Sequence, residues 1–133
     1  MREFRLREGE RELLREQVIA SRNGKQVPRS KLVVTDHRIA LLVPKPDVFS
    51  KLFGALVNRM ASEMAERLEL VHEITRARFE AVEDHGDMLV FRNDQAGYAH
   101  VSFEVYQTSP FAVWQQRTRD WIAGNFETIG TPA

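Results

Sequence analysis

Four basic residues on or beside a turn near the start of the chain are the strongest candidates for binding chemistry. They are Arg22, Lys25, Arg29 and Lys31. Several cations on one hairpin can hold a phosphorylated headgroup, each as a point charge or, for arginine, as a two-pronged donor. The same residues can instead form a solvated hairpin whose charges keep a strand edge from aggregating. The sequence leaves both interpretations open.

The other reactive residue types form no catalytic or metal-binding pattern. The four histidines lack ligand spacing, and the acidic loop from Glu83 to Asp87 lacks the spacing of a calcium loop. The chain has no cysteine, which excludes disulfides and thiolate metal sites. It also has no Gly-x-Ser-x-Gly elbow, phosphate loop or dinucleotide fingerprint. We therefore expect a protein that is not an enzyme and that uses no cofactor and no metal.

The composition is that of an ordinary globular domain. Of 133 residues, 43% are hydrophobic and 29% are charged, which is enough for a proper core. Nineteen basic residues balance nineteen acidic ones, so we expect no nucleic-acid partner. The charged N-terminus does not resemble a signal peptide, and no apolar run reaches the length of a spanning helix. These features predict a cytoplasmic protein that is at most peripheral at the inner membrane surface.

The first elements that must position the basic residues are three strands. Asn-Gly at positions 23–24 is the strongest short hairpin signal, and it predicts a turn between strands over 13–21 and 31–35. Pro28 suits an edge or a bulge. A polar corner over 35–38 then leads to a third strand over 39–43.

A helical period follows these strands. Apolar residues recur at four-residue spacing from Val48 to Leu68 and predict an amphipathic helix of about five turns. The short strands predicted along the chain favour a small barrel or sandwich. The apolar stripe is broader than one helix on the outside of a small barrel can hide, because the outer face of such a barrel should be mostly polar. We therefore expect it to be buried between copies of the chain, through Phe49, Phe53, Leu56, Val57, Met60 and Met64.

The last part of the chain predicts four more strands and a closing helix over about 110–124. Ser109 would cap this helix and Gly124 would end it. Trp114, Trp121 and Ile122 fall on one face, and we expect the tryptophans to fill a barrel end. Residues 1–127 then form one domain, and 128–133 form a flexible tail.

Several short motifs resemble the PH-like superfold, especially GRAM domains and bacterial PH-like domains. These motifs are the stretch from Leu6 to Leu13, the apolar-Thr-Asp-x-Arg hairpin over 32–39, Glu73-Ile74, and the tryptophans of the last helix. The resemblance implies an α+β, mainly β fold: a PH-like, seven-stranded, partly open barrel. A C-terminal helix caps it, and the amphipathic helix is inserted between strands three and four.

Two functions are compatible with this fold. The first is a non-catalytic binding or scaffolding module that acts through protein contacts and self-association. The second is a peripheral membrane module in which the four basic residues recognise an anionic, phosphoinositide-like lipid headgroup, as the resemblance to PH-like domains implies.

Overall fold

The computed structural model describes residues 2–22, 24–44, 68–93, 101–107 and 109–130. The described elements are strands β1 (Arg2–Glu3), β2 (Glu12–Arg22), β3 (Lys25–Thr35), β4 (Arg38–Pro44), β5 (Leu68–Thr75), β6 (Phe79–His85), β7 (Met88–Asn93) and β8 (Val101–Tyr106), and helix α1 (Phe111–Ala123). A short 3-10 turn, Arg76–Arg78, joins β5 to β6. The prediction of a mainly β fold with a C-terminal helix is confirmed.

The strands form one antiparallel sheet in the order β1-β5-β4-β3-β2-β8-β7-β6. Two meanders, β2 to β5 and β6 to β8, are joined because β2 pairs with β8. In a flat sheet β5 and β8 would lie roughly 19 Å apart. The ring centroids of His72 on β5 and Phe103 on β8 are nevertheless 5.5 Å apart, so the sheet curves strongly over its inner face. The described strands do not close into a barrel, and there are eight of them rather than seven because the two-residue β1 adds to β5.

The first hairpin follows the predicted turn chemistry. Arg22 pairs with Lys25, and Gly24 has the positive φ of 75° that such a tight turn requires. A register shift follows, because β2 residues 18 and 20 pair with Ser30 and Val27. Residues 28–29 therefore form a bulge, as expected near Pro28, and Arg29 has a φ of 55°.

The inner core lies between the curved sheet and α1. Trp114 and Trp121 are buried there, which confirms their predicted role as core residues. The stacked rings of Phe91 and Phe103 continue the core, and Trp114 meets Phe91 edge-on. Burial of four large aromatic side chains supplies much of the apolar area that stabilises a domain of this size.

Both ends of α1 were predicted, and one prediction is wrong. Gly124 ends the helix in the left-handed conformation, as expected. At the other end the helix starts at Phe111, and Pro110, not Ser109, occupies the N-cap position without a capping side chain. Ile122 was placed on the buried face, but its side chain is 52% exposed because the buried face is set by Trp114, Thr118 and Trp121.

The segment after α1 differs from the expected loose tail. Ile129 is 1% exposed and belongs to the inner core. The hydroxyl of Thr128 donates to Asp120, and Gly130 approaches the carbonyl of Leu13 so closely that a Cβ would overlap it. The chain is therefore packed through Gly130, since one apolar side chain is enough to anchor this short segment.

A second apolar cluster lies on the outer face of β3, β4 and β5. Val33, Ala40, Leu42 and Leu68 are buried there, and Phe4 and Leu70 pack against them. The expectation that the outer face is mostly polar is therefore wrong at these strands. Alternation explains the cluster, because successive residues of these near-continuous apolar strands must point to opposite faces.

Candidate functional site

The structure places the four predicted basic residues on different faces of the first hairpin. Arg22 continues the inward row of Val18 and Ala20, and its Nη1 donates to the carbonyl of Val71 at 3.3 Å. Lys25 pairs with Arg22, so the two residues share a face, and Lys25 is exposed.

The other two basic residues of the hairpin do not join this face. Lys31 alternates with the inward Leu32 and thus lies on the outer face. Arg29 is exposed in the bulge. The hairpin therefore brings together Arg22 and Lys25, and it does not gather all four residues into one basic surface.

The six predicted self-association residues, Phe49, Phe53, Leu56, Val57, Met60 and Met64, lie outside the described residues. The predicted helix over 48–68 lies there too, except for Leu68, which is the first residue of β5. What the structure shows is where this segment joins the sheet. Pro44, the last residue of β4, pairs with Leu68.

The acidic loop between β6 and β7 is a turn held by its own side chains. Asp84 Oδ1 accepts hydrogen bonds from the Gly86 amide at 3.1 Å and from Gln107 at 3.0 Å. Glu83 accepts from Arg92, and this bond, followed by one with His85, holds the pKa of the Glu83 carboxyl below its usual value. The described residues contain no group of three His, Asp or Glu side chains that could hold a metal ion.

A buried ion-pair network, which the sequence did not reveal, lies beside the corner between β3 and β4. Arg38 is at its centre: its Nε donates to Glu10 Oε2 at 2.9 Å, its Nη2 donates to Glu10 Oε1 at 3.0 Å, and its Nη1 donates to Glu73 at 2.9 Å. The Thr35 hydroxyl also donates to Glu10 and accepts from the amides of His37 and Arg38, which shapes the corner. The side chains of Glu10 and Arg38 are 0% and 6% exposed.

This network fastens the N-terminal segment across the outer face of the sheet. Arg38 Nη2 donates to the Arg5 carbonyl at 2.8 Å, and its guanidinium lies 4.7 Å from the centroid of the Phe4 ring. Phe4 in turn packs on the outer apolar cluster. The hydrogen bonds of Arg38 thus hold the N-terminal segment to the sheet, which is a structural role.

The network predicts a specific loss of stability in acid. Burial alone would raise the pKa of Glu10, but hydrogen bonds from Arg38, Thr35 and the Arg7 amide, with the charge of Arg38, hold that pKa at about 2 instead of 4.5. A depressed carboxyl pKa stabilises the folded state above the unfolded pKa. We expect this contribution, about 3 kcal/mol, to be complete above about pH 4.5 and to disappear as the pH falls towards 2.

Denaturant unfolding at a series of pH values measures this effect. The Glu10→Gln variant has no carboxyl to protonate, so its stability should fall less steeply between pH 5 and pH 2, limits set by the two pKa values of Glu10. Parallel pH profiles for the two proteins would contradict the assigned role of Glu10.

Three polar side chains meet inside the molecule where β5 faces β7 and β8 without strand pairing. Arg22, His72 and Asn93 form this polar seam. His72 and Asn93 are each 7% exposed. Burial, followed by the charge of Arg22, lowers the pKa of His72, and a contact with the Asn93 side chain, followed by the charge of Glu73, opposes the shift. The contact between His72 and Asn93 falls short of good hydrogen-bond geometry, so within the described part of the chain Arg22 Nε, His72 Nε2 and Asn93 Oδ1 have no well-formed hydrogen bond.

Sequence reasoning singled out Arg22 but missed His72 and Asn93. His72 is one of the four histidines that lack ligand spacing. Their one sequence signal is a polar side chain at an inward position of an alternating strand.

None of the helices within the described residues is long and apolar enough to cross a membrane. Comparison with known proteins adds no identity to this geometry. No model of a protein family matches the chain, and no curated protein matches it significantly in sequence.

Proposed function

We propose that this chain is a PH-like, non-catalytic binding module that acts through protein contacts and self-association. Its element order supports the proposal: a four-stranded meander, a three-stranded meander, and a C-terminal helix whose tryptophans pack on the inner face. The inner face between the sheet and α1 is filled mainly by large apolar side chains, which favours protein contacts on the outside of the molecule. The polar clusters of the described residues resemble no nucleophile, base and oxyanion arrangement.

The observation that carries the proposal is the pairing of Pro44 with Leu68. β4 and β5 are hairpin partners to their very ends, and two to five residues suffice to connect such partners. The connection from β4 to β5 instead consists of residues 45–67. Connections this long in a compact domain usually serve a function, so the sheet does not account for this segment.

The composition of the segment indicates what that function is. It carries the apolar residues Phe49, Phe53 and Val57 at helical spacing, with Glu63 and Glu66 towards its end. Acidic residues oppose contact with an anionic membrane, whereas an apolar stripe favours a protein surface. A second copy of the same segment, related by a two-fold axis, is the simplest partner.

The headgroup function ranks second because the hairpin separates its cations. Arg22 lies on the inner face and Lys31 on the outer face, and Arg22 is tied to the carbonyl of Val71. A membrane surface would therefore contact only some of the four basic residues.

Light scattering on the parent and on a Phe53→Glu, Val57→Glu variant tests the proposal. We expect the parent to be a dimer or larger and the variant to be a monomer, because two carboxylates would be buried in the interface. The matched control is Asn58→Glu, Ser62→Glu, which adds the same charge to the opposite helical face and should leave the assembly intact. A parent protein that is still monomeric at a concentration of about 10 μM or above would refute self-association. In that case we would expect the apolar residues of segment 45–67 to pack on the outer apolar cluster of their own chain.

A further inference from the structure

The polar seam contains a positive charge, that of Arg22, which forms no ion pair with a described residue. Arg22 is half-buried, and its one hydrogen bond to a described residue is to the neutral carbonyl of Val71. Among the described residues it forms no ion pair, unlike Arg38, which holds two carboxylates. A guanidinium that is partly removed from water and has no carboxylate partner favours an anion as its ligand.

Three buried polar atoms from three strands belong to this seam, and one of them is in the Arg22 side chain itself. Arg22 Nε on β2 is a donor that cannot lose its proton. His72 Nε2 on β5 is a donor in one neutral tautomer. Asn93 on β7 presents Oδ1, and rotation of its amide by 180° presents the NH₂ donor instead.

The polar atoms of the seam lie against an apolar wall and close to strand ends. The ring of His72 is held edge-on to Phe103, which in turn stacks on Phe91, so an apolar wall backs the polar atoms. Arg22 and Asn93 are the last residues of β2 and β7 and thus stand at strand ends rather than deep in the sheet. Fixed donors against an apolar wall are typical of small-ligand sites.

We propose that Arg22, His72 and Asn93 bind a small oxyanion of the phosphate class. A cation is excluded by the arginine. A planar carboxylate pairs best with two parallel donors of a single guanidinium. Donors from three separate strands instead suit an anion whose oxygens point in several directions, as those of phosphate do. This site shares no residue with the self-association segment, so either proposal can fail without the other.

The test begins with the parent protein and inorganic phosphate. Nuclear magnetic resonance of the His72 ring and the Asn93 side-chain amide follows the two neutral groups directly. We expect saturable shifts of both signals as phosphate is raised to about 10 mM, a range that detects millimolar affinity. Sodium chloride at matched ionic strength should not reproduce them, since salt only screens exposed charges. Unchanged His72 and Asn93 signals would overturn the proposal.

Variants assign the contact. Calorimetry on Arg22→Gln should show phosphate affinity reduced about tenfold or more, the factor that a charge-assisted hydrogen bond contributes. Arg15→Gln removes an equal charge from the outer face of the same strand, where Arg15 is exposed and paired with Glu12, and should bind as the parent does. Equal affinity in the parent and Arg22→Gln would overturn the assignment. If Arg22→Gln does not fold, the resonance result on the parent decides alone.

A last arm separates a soluble ligand from a lipid. Phosphatidylcholine vesicles with and without phosphatidic acid offer the same phosphate chemistry on a surface. Because the three atoms are buried, we expect no co-sedimentation, which with phosphate binding identifies a soluble oxyanion. Co-sedimentation that inorganic phosphate competes away would support the same site with a headgroup as its ligand.

Discussion

Trp121→Ala should cost about 3–5 kcal/mol of unfolding free energy, one of the two largest effects that the structure predicts. Trp121 is 1% exposed, its ring meets Phe79 edge-on with centroids 5.6 Å apart, and its Nε1 donates to the Thr35 carbonyl at 2.7 Å. Truncation therefore opens a cavity and also leaves a buried acceptor unpaired. Thermal unfolding should show a midpoint lower by roughly 10 °C or more.

A neighbouring residue of the same helix provides the control. Ile122 is 52% exposed, so Ile122→Ala should change stability by no more than about 0.5 kcal/mol. If Trp121→Ala melted within a degree or two of the parent, α1 would not be the element that completes the core.

Arg38→Met should have a comparable effect through a different mechanism. The substitution keeps much of the side-chain volume but leaves the buried carboxylate of Glu10 without its cation. Removing one partner of a buried pair costs about 3–5 kcal/mol, because the remaining charge is uncompensated. Denaturant unfolding near neutral pH measures the loss.

Two further variants distinguish this mechanism from simple loss of packing. Glu10→Gln combined with Arg38→Met removes the uncompensated carboxylate of Glu10 and should be more stable than Arg38→Met alone. A double-mutant cycle reports this difference as a coupling free energy. Arg15→Met breaks the exposed pair with Glu12 and should cost less than about 1 kcal/mol. Additive effects of the Glu10 and Arg38 substitutions would contradict the network.

Local sequence signals predicted the elements whose causes are local. The Asn-Gly turn, the bulge near Pro28 and the glycine end of α1 each depend on the conformation of one or two residues. The alternating and helical periods likewise placed most strands and the last helix within a few residues, although β3 starts at Lys25, well before the predicted strand over 31–35, and β1 was not predicted. The start of α1 was missed because a proline can precede a helix without a capping side chain.

Features that depend on distant residues could not be read in this way. Glu10, Arg38 and Glu73 lie far apart in sequence and meet only because β5 pairs with β4 and the N-terminal segment crosses the sheet. The burial of Ile129 depends on the space left beside α1.

The candidate site shows the same limit. Spacing in sequence suggested one basic group on the hairpin, but alternation and the bulge divide it between two faces. The polar seam was invisible because it forms only when the curved sheet brings β2, β5 and β7 together.

The central claim, a binding module that self-associates, is tested most directly by the mass of the parent protein in solution. Sedimentation velocity over a concentration series measures that mass without any substitution. We expect a species of at least twice the chain mass of 15.4 kDa, with a share that grows with concentration by mass action. A single species of 15.4 kDa at every concentration would contradict it.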